Sequence, residues 1–163
     1  MSLPVREHDR FPYTTVTVLL DSSDRDTTAY SSNNFVVKLP EVLRFVRKVA
    51  VTSMEVPAPV NANVPYILLD VPEVGRMIEG VSNAAATSSG SFPLAKLQLG
   101  NTVNNYHLQQ IVIPTFSDVY PEINRLDRLT CRWRTHAGTI VDFAGNNWSA
   151  TIQFVCQPDT RRY

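Results

Sequence analysis

Trp148-Ser149-Ala150-Thr151-Ile152-Gln153-Phe154-Val155-Cys156 puts Trp148, Ala150, Ile152, Phe154 and Cys156 on one face. Ser149, Thr151 and Gln153 fall on the other. A two-residue period of this kind is what a half-buried antiparallel strand requires. The same alternation appears upstream, where Leu129, Cys131 and Trp133 interleave with Thr130, Arg132 and Arg134. It recurs in Asn34–Leu39, whose Phe35, Val37 and Leu39 share a face that Val36 opposes. Further strands are expected at Thr14–Leu20, Lys48–Val56, Tyr66–Val71, Leu94–Leu99, Ile111–Ile113 and Thr139–Phe143. Val, Ile, Thr and aromatic residues dominate these segments, as a pleated surface favours.

Two tight turns, Thr135–Gly138 and Ala144–Asn147, predict a meander in which Leu129–Arg134, Thr139–Phe143 and the last strand pair in succession. Helical signal is confined to a single turn at Val42–Val46, after Pro40, and another at Tyr106–Gln110. Pro57, Pro59, Pro65 and Pro72 limit the strands of the middle to short or edge pieces. Ser82–Ser91 reads as an exposed loop. The fold expected is all-β, a single antiparallel jelly roll with two facing sheets and about eight or nine strands. It would occupy 13–157, between an N-terminal arm at 1–12 and a C-terminal tail at 158–163. The alternation by itself also admits an immunoglobulin-like sandwich or a barrel.

The 163 residues suit one domain with its own core. Lys plus Arg equals Asp plus Glu at 15 each, so the basic surplus of a nucleic-acid binder is absent and no direct nucleic-acid binding is expected. Arg outnumbers Lys twelve to three, a bias that suits protein interfaces. Met1–Arg10 has no apolar signal core, and no apolar run reaches transmembrane length. Cys131 and Cys156 fall on the apolar faces of their strands and read as buried hydrophobes in a reducing compartment.

His8, His107 and His136 are far apart and carry no metal-ligand spacing. No nucleophile elbow, phosphate loop or dinucleotide fingerprint is present. No catalytic, cofactor-binding or metal site is therefore expected, and no enzyme. Asp21, Asp24 and Asp26 crowd one short segment. It lacks the glycine and terminal glutamate of a calcium loop, and Arg25 supplies an internal counter-ion. The segment is read as a structural turn, with aspartates capping backbone N–H groups and Arg25 bridging carboxylates.

That turn carries a family resemblance. Leu20-Asp21-Ser22-Ser23-Asp24-Arg25-Asp26 is followed by Asn33-Asn34-Phe35-Val36-Val37-Lys38-Leu39-Pro40, then Val46-Arg47-Lys48-Val49-Ala50-Val51 and Met54-Glu55-Val56-Pro57. The series resembles the opening of jelly-roll capsid proteins of large double-stranded DNA viruses. There an aspartate-rich turn leads into an N-N-[FY]-x-[VI]-x-L-P strand and then a strand ending in E-I-P. The C-terminal strands are similar as well, so that about half the chain is covered. Ser23 stands where that pattern tends to have Arg, and Pro72–Pro93 matches nothing in it.

The resemblance implies a structural motif at Asp21, Asp24, Arg25, Asp26, Pro40 and Pro57. It implies a minor capsid or penton-type protein of one jelly roll, located in the virion and assembled in the host cytoplasm. Its partners would be the major capsid protein, neighbouring minor capsid proteins and further copies of itself, with a pentamer expected of a vertex protein. Two other readings compete. A sandwich binding module could hold a glycan or protein through loops bearing Tyr13, Tyr30, Tyr66, Tyr106 and Tyr120. A cupin-like enzyme would need a histidine cluster that the sequence does not supply.

Overall fold

The computed structural model describes residues 13–61, 63–74, 93–100, 102–111, 113 and 115–157. The arm, the tail and the Ser82–Ser91 loop lie outside them. The described residues form seven strands and no α-helix: β1 (Thr14–Asp21), β2 (Asn34–Pro57), β3 (Tyr66–Asp70), β4 (Pro93–Gln98), β5 (Tyr106–Gln110), β6 (Ser117–Arg134) and β7 (Ser149–Gln157). All pairings are antiparallel.

β2 joins two expected strands into one of 24 residues. The helical turn expected at Val42–Val46 is instead the bend in this strand. Its ladder with β6 breaks between Lys38 and Leu43 and shifts again between Val46 and Lys48, and Phe45 sits at φ +50°. Pro40, which has no N–H to give a ladder, falls inside the first break. Bulges of this kind turn a strand without ending it. Pro57 closes β2, opposite Tyr106.

The bend divides β2 into two arms and makes eight antiparallel segments in all. Their pairing is nested. The first segment, β1, pairs with the last, β7; the first arm of β2 pairs with β6; the second arm pairs with β5; and β3 pairs with β4. Further ladders between β7 and β2 and between β6 and β3 tie these hairpin layers sideways. The hydrogen bonds consequently run around one strongly curled sheet rather than two separate ones. β2 and β6 are long enough to belong to both ends of the curl.

Three further expectations are corrected. Tyr106–Gln110 is a strand, not a helical turn, because the Val103–Tyr106 hairpin sets it up. Asn104 and Asn105 take φ +52° and +65°, and Val103 and Tyr106 exchange both backbone hydrogen bonds at 2.9 Å. Ile111 and Ile113 belong to no strand, so the expectation at Ile111–Ile113 fails at both of its described residues. Thr139–Phe143 is not a strand either, which dissolves the expected meander. Only Ile140 bridges to Arg134. Beside that bridge, Thr135 N donates to Thr139 O at 2.8 Å, Val141 N to Trp133 O at 3.1 Å and Val60 N to Asp142 O at 2.9 Å. Side-chain amides take three further groups: Asn61 accepts from Asp142 N at 2.7 Å and donates to Ile140 O at 3.0 Å, and Asn33 donates to Val141 O. β7 then crosses over to lie between β1 and β2.

The core is one cluster inside the curl. Trp133 meets Trp148 edge-on at 5.5 Å and Phe143 at 6.2 Å, and Phe35 lies 5.6 Å from Trp148. Ile152, Phe154 and Leu129 are fully buried beside them. β7 follows its sequence period: Ala150, Ile152, Phe154 and Cys156 are buried, while Ser149, Thr151 and Gln153 are not.

At the turn after Phe143, Ala144 is held at φ +52° and Gly145 at +77°, closed by a 3.0 Å bond from Asn146 N to Phe143 O. The left-handed region costs an alanine about 1 kcal/mol, while asparagine enters it readily. Ala144→Asn is expected to raise the unfolding free energy by about 0.5–1 kcal/mol. Urea denaturation of the pair of proteins checks this.

Candidate functional site

Three places bring polar chemistry together. The first is the turn after β1. Asp21 accepts from Ser23 N at 2.8 Å, and Asp26 accepts from the amide and hydroxyl of Thr28 at 2.9 and 2.6 Å. These bonds hold the Asp26 carboxyl below its usual pKa. Arg25 does not bridge carboxylates in its described contacts. It donates to the carbonyls of Ser22 and Tyr30, and to Asn147 Oδ1 at 2.6 Å. Ser22, fully buried, donates from its amide to Trp148 O and accepts from Trp148 N, both at 2.9 Å. Trp148 Nε1 reaches Ser32 O at 2.5 Å. The turn thus locks the loop between β1 and β2 to the start of β7. Asp24 is exposed and has no role in this network.

The second place was not foreseen. On the face of β3 and β6 opposite Trp133, the cross-strand partners Asp70 and Arg132 stand beside Arg134. Asp70 Oδ2 accepts from Arg134 Nε at 2.6 Å and from an Arg132 terminal nitrogen at 3.0 Å. Asp70 and the Arg134 side chain are 0% and 4% exposed. One register position on, Glu73 accepts from Thr130 N at 2.9 Å and its hydroxyl at 2.6 Å. The arginines were visible as an alternating polar row, which a half-buried strand normally turns to solvent. What the row alone does not reveal is that Asp70, at the end of an apolar run in another strand, draws them under cover.

The third is an open groove of about 610 Å³ between the edge strands β4 and β5, lined by Lys96, Leu97, Gln98, Gly100, His107, Leu108 and Gln109. His107 is buried there, and its Nδ1 has no hydrogen-bond partner among the described residues. His136 lies instead in the Thr135–Gly138 turn, edge-on to Tyr66 at 6.2 Å, and His8 is outside the described residues. Among the described residues no three His, Cys, Asp or Glu side chains are close enough to share a metal ion. Burial, with Glu73 adding to it, pushes the Cys131 thiol up to about 12, and burial also raises Cys156. Both thiols are therefore protonated and poor nucleophiles near neutrality.

Burial lowers the His107 pKa below its ordinary 6.5. In unfolded chains the imidazole takes up its proton around 6.5, while in the folded protein it stays neutral to a lower pH. The unfolded state binds more protons in that window, so stability falls as pH drops through it. His107→Gln is expected to flatten this slope. Urea unfolding of both proteins at pH values from neutral down to the upper edge of the carboxylate range measures the difference.

The chain matches no protein-family model, and no curated protein matches it in sequence.

Proposed function

We propose that this protein is a structural subunit of an icosahedral viral capsid: a single jelly roll, serving as a vertex or minor capsid protein. The observation that carries the reading is the nested pairing of first segment with last, second with second-last, and so inward. A long antiparallel hairpin wrapped around its own core has this order, and capsid subunits are among the proteins built that way. The motif of the resemblance runs from the turn after β1 through both arms of β2. Leu20–Asp26 forms the locked turn, Asn33–Pro40 the first arm of β2, and Met54–Pro57 the end of the second. A locked turn and a single buried core give the rigid unit that a symmetric shell repeats. Because fold alone does not fix function, the test is direct. In particle reconstructions, density for this chain is expected at a vertex or between major capsomers. Its absence from purified particles would remove the reading.

A binding module acting through loop tyrosines is the competing reading. Two of those rings are already engaged within the chain, Tyr13 under Arg47 at 4.6 Å and Tyr66 under Lys96 at 4.2 Å. The Tyr120 side chain lies outside the described residues. Glycan-array binding that Tyr30→Ala or Tyr106→Ala abolishes would favour this alternative.

A further inference from the structure

We propose that the outer edge of β1 is a docking edge for the same strand of a second copy, paired antiparallel about a twofold axis at Thr17. β1 and β4 terminate the strand order of the sheet, β5 is a third edge of only five residues off that path, and among the described residues β1 pairs only with β7. Unpaired edges invite further strands, and proteins blunt them with proline, charge or shortness. β4 is blunted in this way, carrying Pro93 and Lys96 within six residues. β1 is not. Thr14–Leu20 contains no charge, proline or glycine, and Leu19 is 72% exposed. Left open, a stretch with these properties is an aggregation site.

The strand suits its own copy for two reasons. Along β1 the odd residues Thr15, Thr17 and Leu19 face outward, and Val18 and Leu20 face the core. An antiparallel pairing about Thr17 joins odd to odd and even to even, so both copies keep their apolar rows on the core side. It sets Thr17 against the partner's Thr17, a favourable cross-strand pair, and Thr15 against the partner's Leu19. The charge at the strand end, Asp21, meets the partner's Tyr13, so no like charges face each other. The inference stands independently of the capsid reading. A twofold contact of this kind suits a subunit lying between capsomers better than one closing a fivefold ring.

The test uses the full chain and two variants of an exposed position, Thr17→Lys and Thr17→Glu, with circular dichroism and thermal melting confirming that each is folded. Sedimentation velocity over a concentration series is expected to show a monomer–dimer equilibrium for the unaltered protein. Each variant should be monomeric over the same range, because the twofold axis places two like charges in contact. An equimolar mixture of the two should recover the dimer. Should either variant fail to fold, the double variants Thr15→Lys with Leu19→Lys and Thr15→Glu with Leu19→Glu form the replacement pair, since those positions face each other across the axis and each double variant sets like charges opposite. A protein that stays monomeric, an oligomer that Thr17→Lys leaves unchanged, or a mixture that remains monomeric overturns the proposal.

Discussion

Asp70→Asn is expected to lower the unfolding free energy by about 3–5 kcal/mol, the cost of leaving a buried charge without its partner. The Arg134 guanidinium is held at 4% exposure by a carboxylate at 0%, with 2.6 Å between them, so water cannot take over when the carboxylate goes. Arg132, 27% exposed on the same oxygen, is in a different position. Solvent screens it, and Arg132→Ala should cost about 1 kcal/mol or less. The double substitution Asp70→Leu with Arg134→Met should recover most of the loss, because an apolar pair of similar size carries no desolvation penalty. Urea unfolding of the four proteins separates these outcomes. Equal losses from Asp70→Asn and Arg132→Ala would mean that the two arginines share the carboxylate evenly, contrary to the burial argument.

Trp133→Ala is expected to cost about 3–5 kcal/mol, since it empties the centre of the aromatic cluster. The more discriminating comparison is between the two tryptophans replaced by phenylalanine. Trp133 Nε1 is buried with no hydrogen-bond partner among the described residues, so Trp133→Phe removes volume together with an unsatisfied donor. Trp148 Nε1 donates to Ser32 O, so Trp148→Phe removes volume and also leaves a buried carbonyl unpaired. An unpaired buried group costs about 1–3 kcal/mol. Trp148→Phe should therefore be the more destabilising of the two. Chemical denaturation monitored by the remaining tryptophan's fluorescence reads both.

The strands that the sequence made legible are those with one clean apolar face. β7 appears almost residue for residue in its alternation, and the Leu129–Arg134 end of β6 does too. The continuity of β2 was hidden because a proline and a run without period two, Pro40–Phe45, imitate a break. A bulge and a positive-φ phenylalanine carry the chain through it. Thr139–Phe143 has strand-like composition, but after a single bridge to Arg134 its outer side is taken by Asn33, Asn61 and Val60 N from distant segments rather than by another strand. Strand propensity records what fits a pleated surface, not which partners arrive there.

The same limit governs the polar sites. The turn after β1 could be read as structural because its residues act locally, Asp21 on Ser23 and Asp26 on Thr28. The Asp70–Arg134 pair joins residues 64 apart and is set by strand register, which composition does not encode.

The nested order of the strands has a consequence for how the chain acquires its shape. β1 finds its described partner only when β7 has been made, more than 120 residues later in the register Thr14–Cys156. Loop-closure entropy must be met before such contacts give anything back, and topologies of this kind fold in about milliseconds to seconds. During synthesis the uncharged Thr14–Leu20 strand therefore waits in the open with both of its edges bare, and the time it spends there is set by the ribosome.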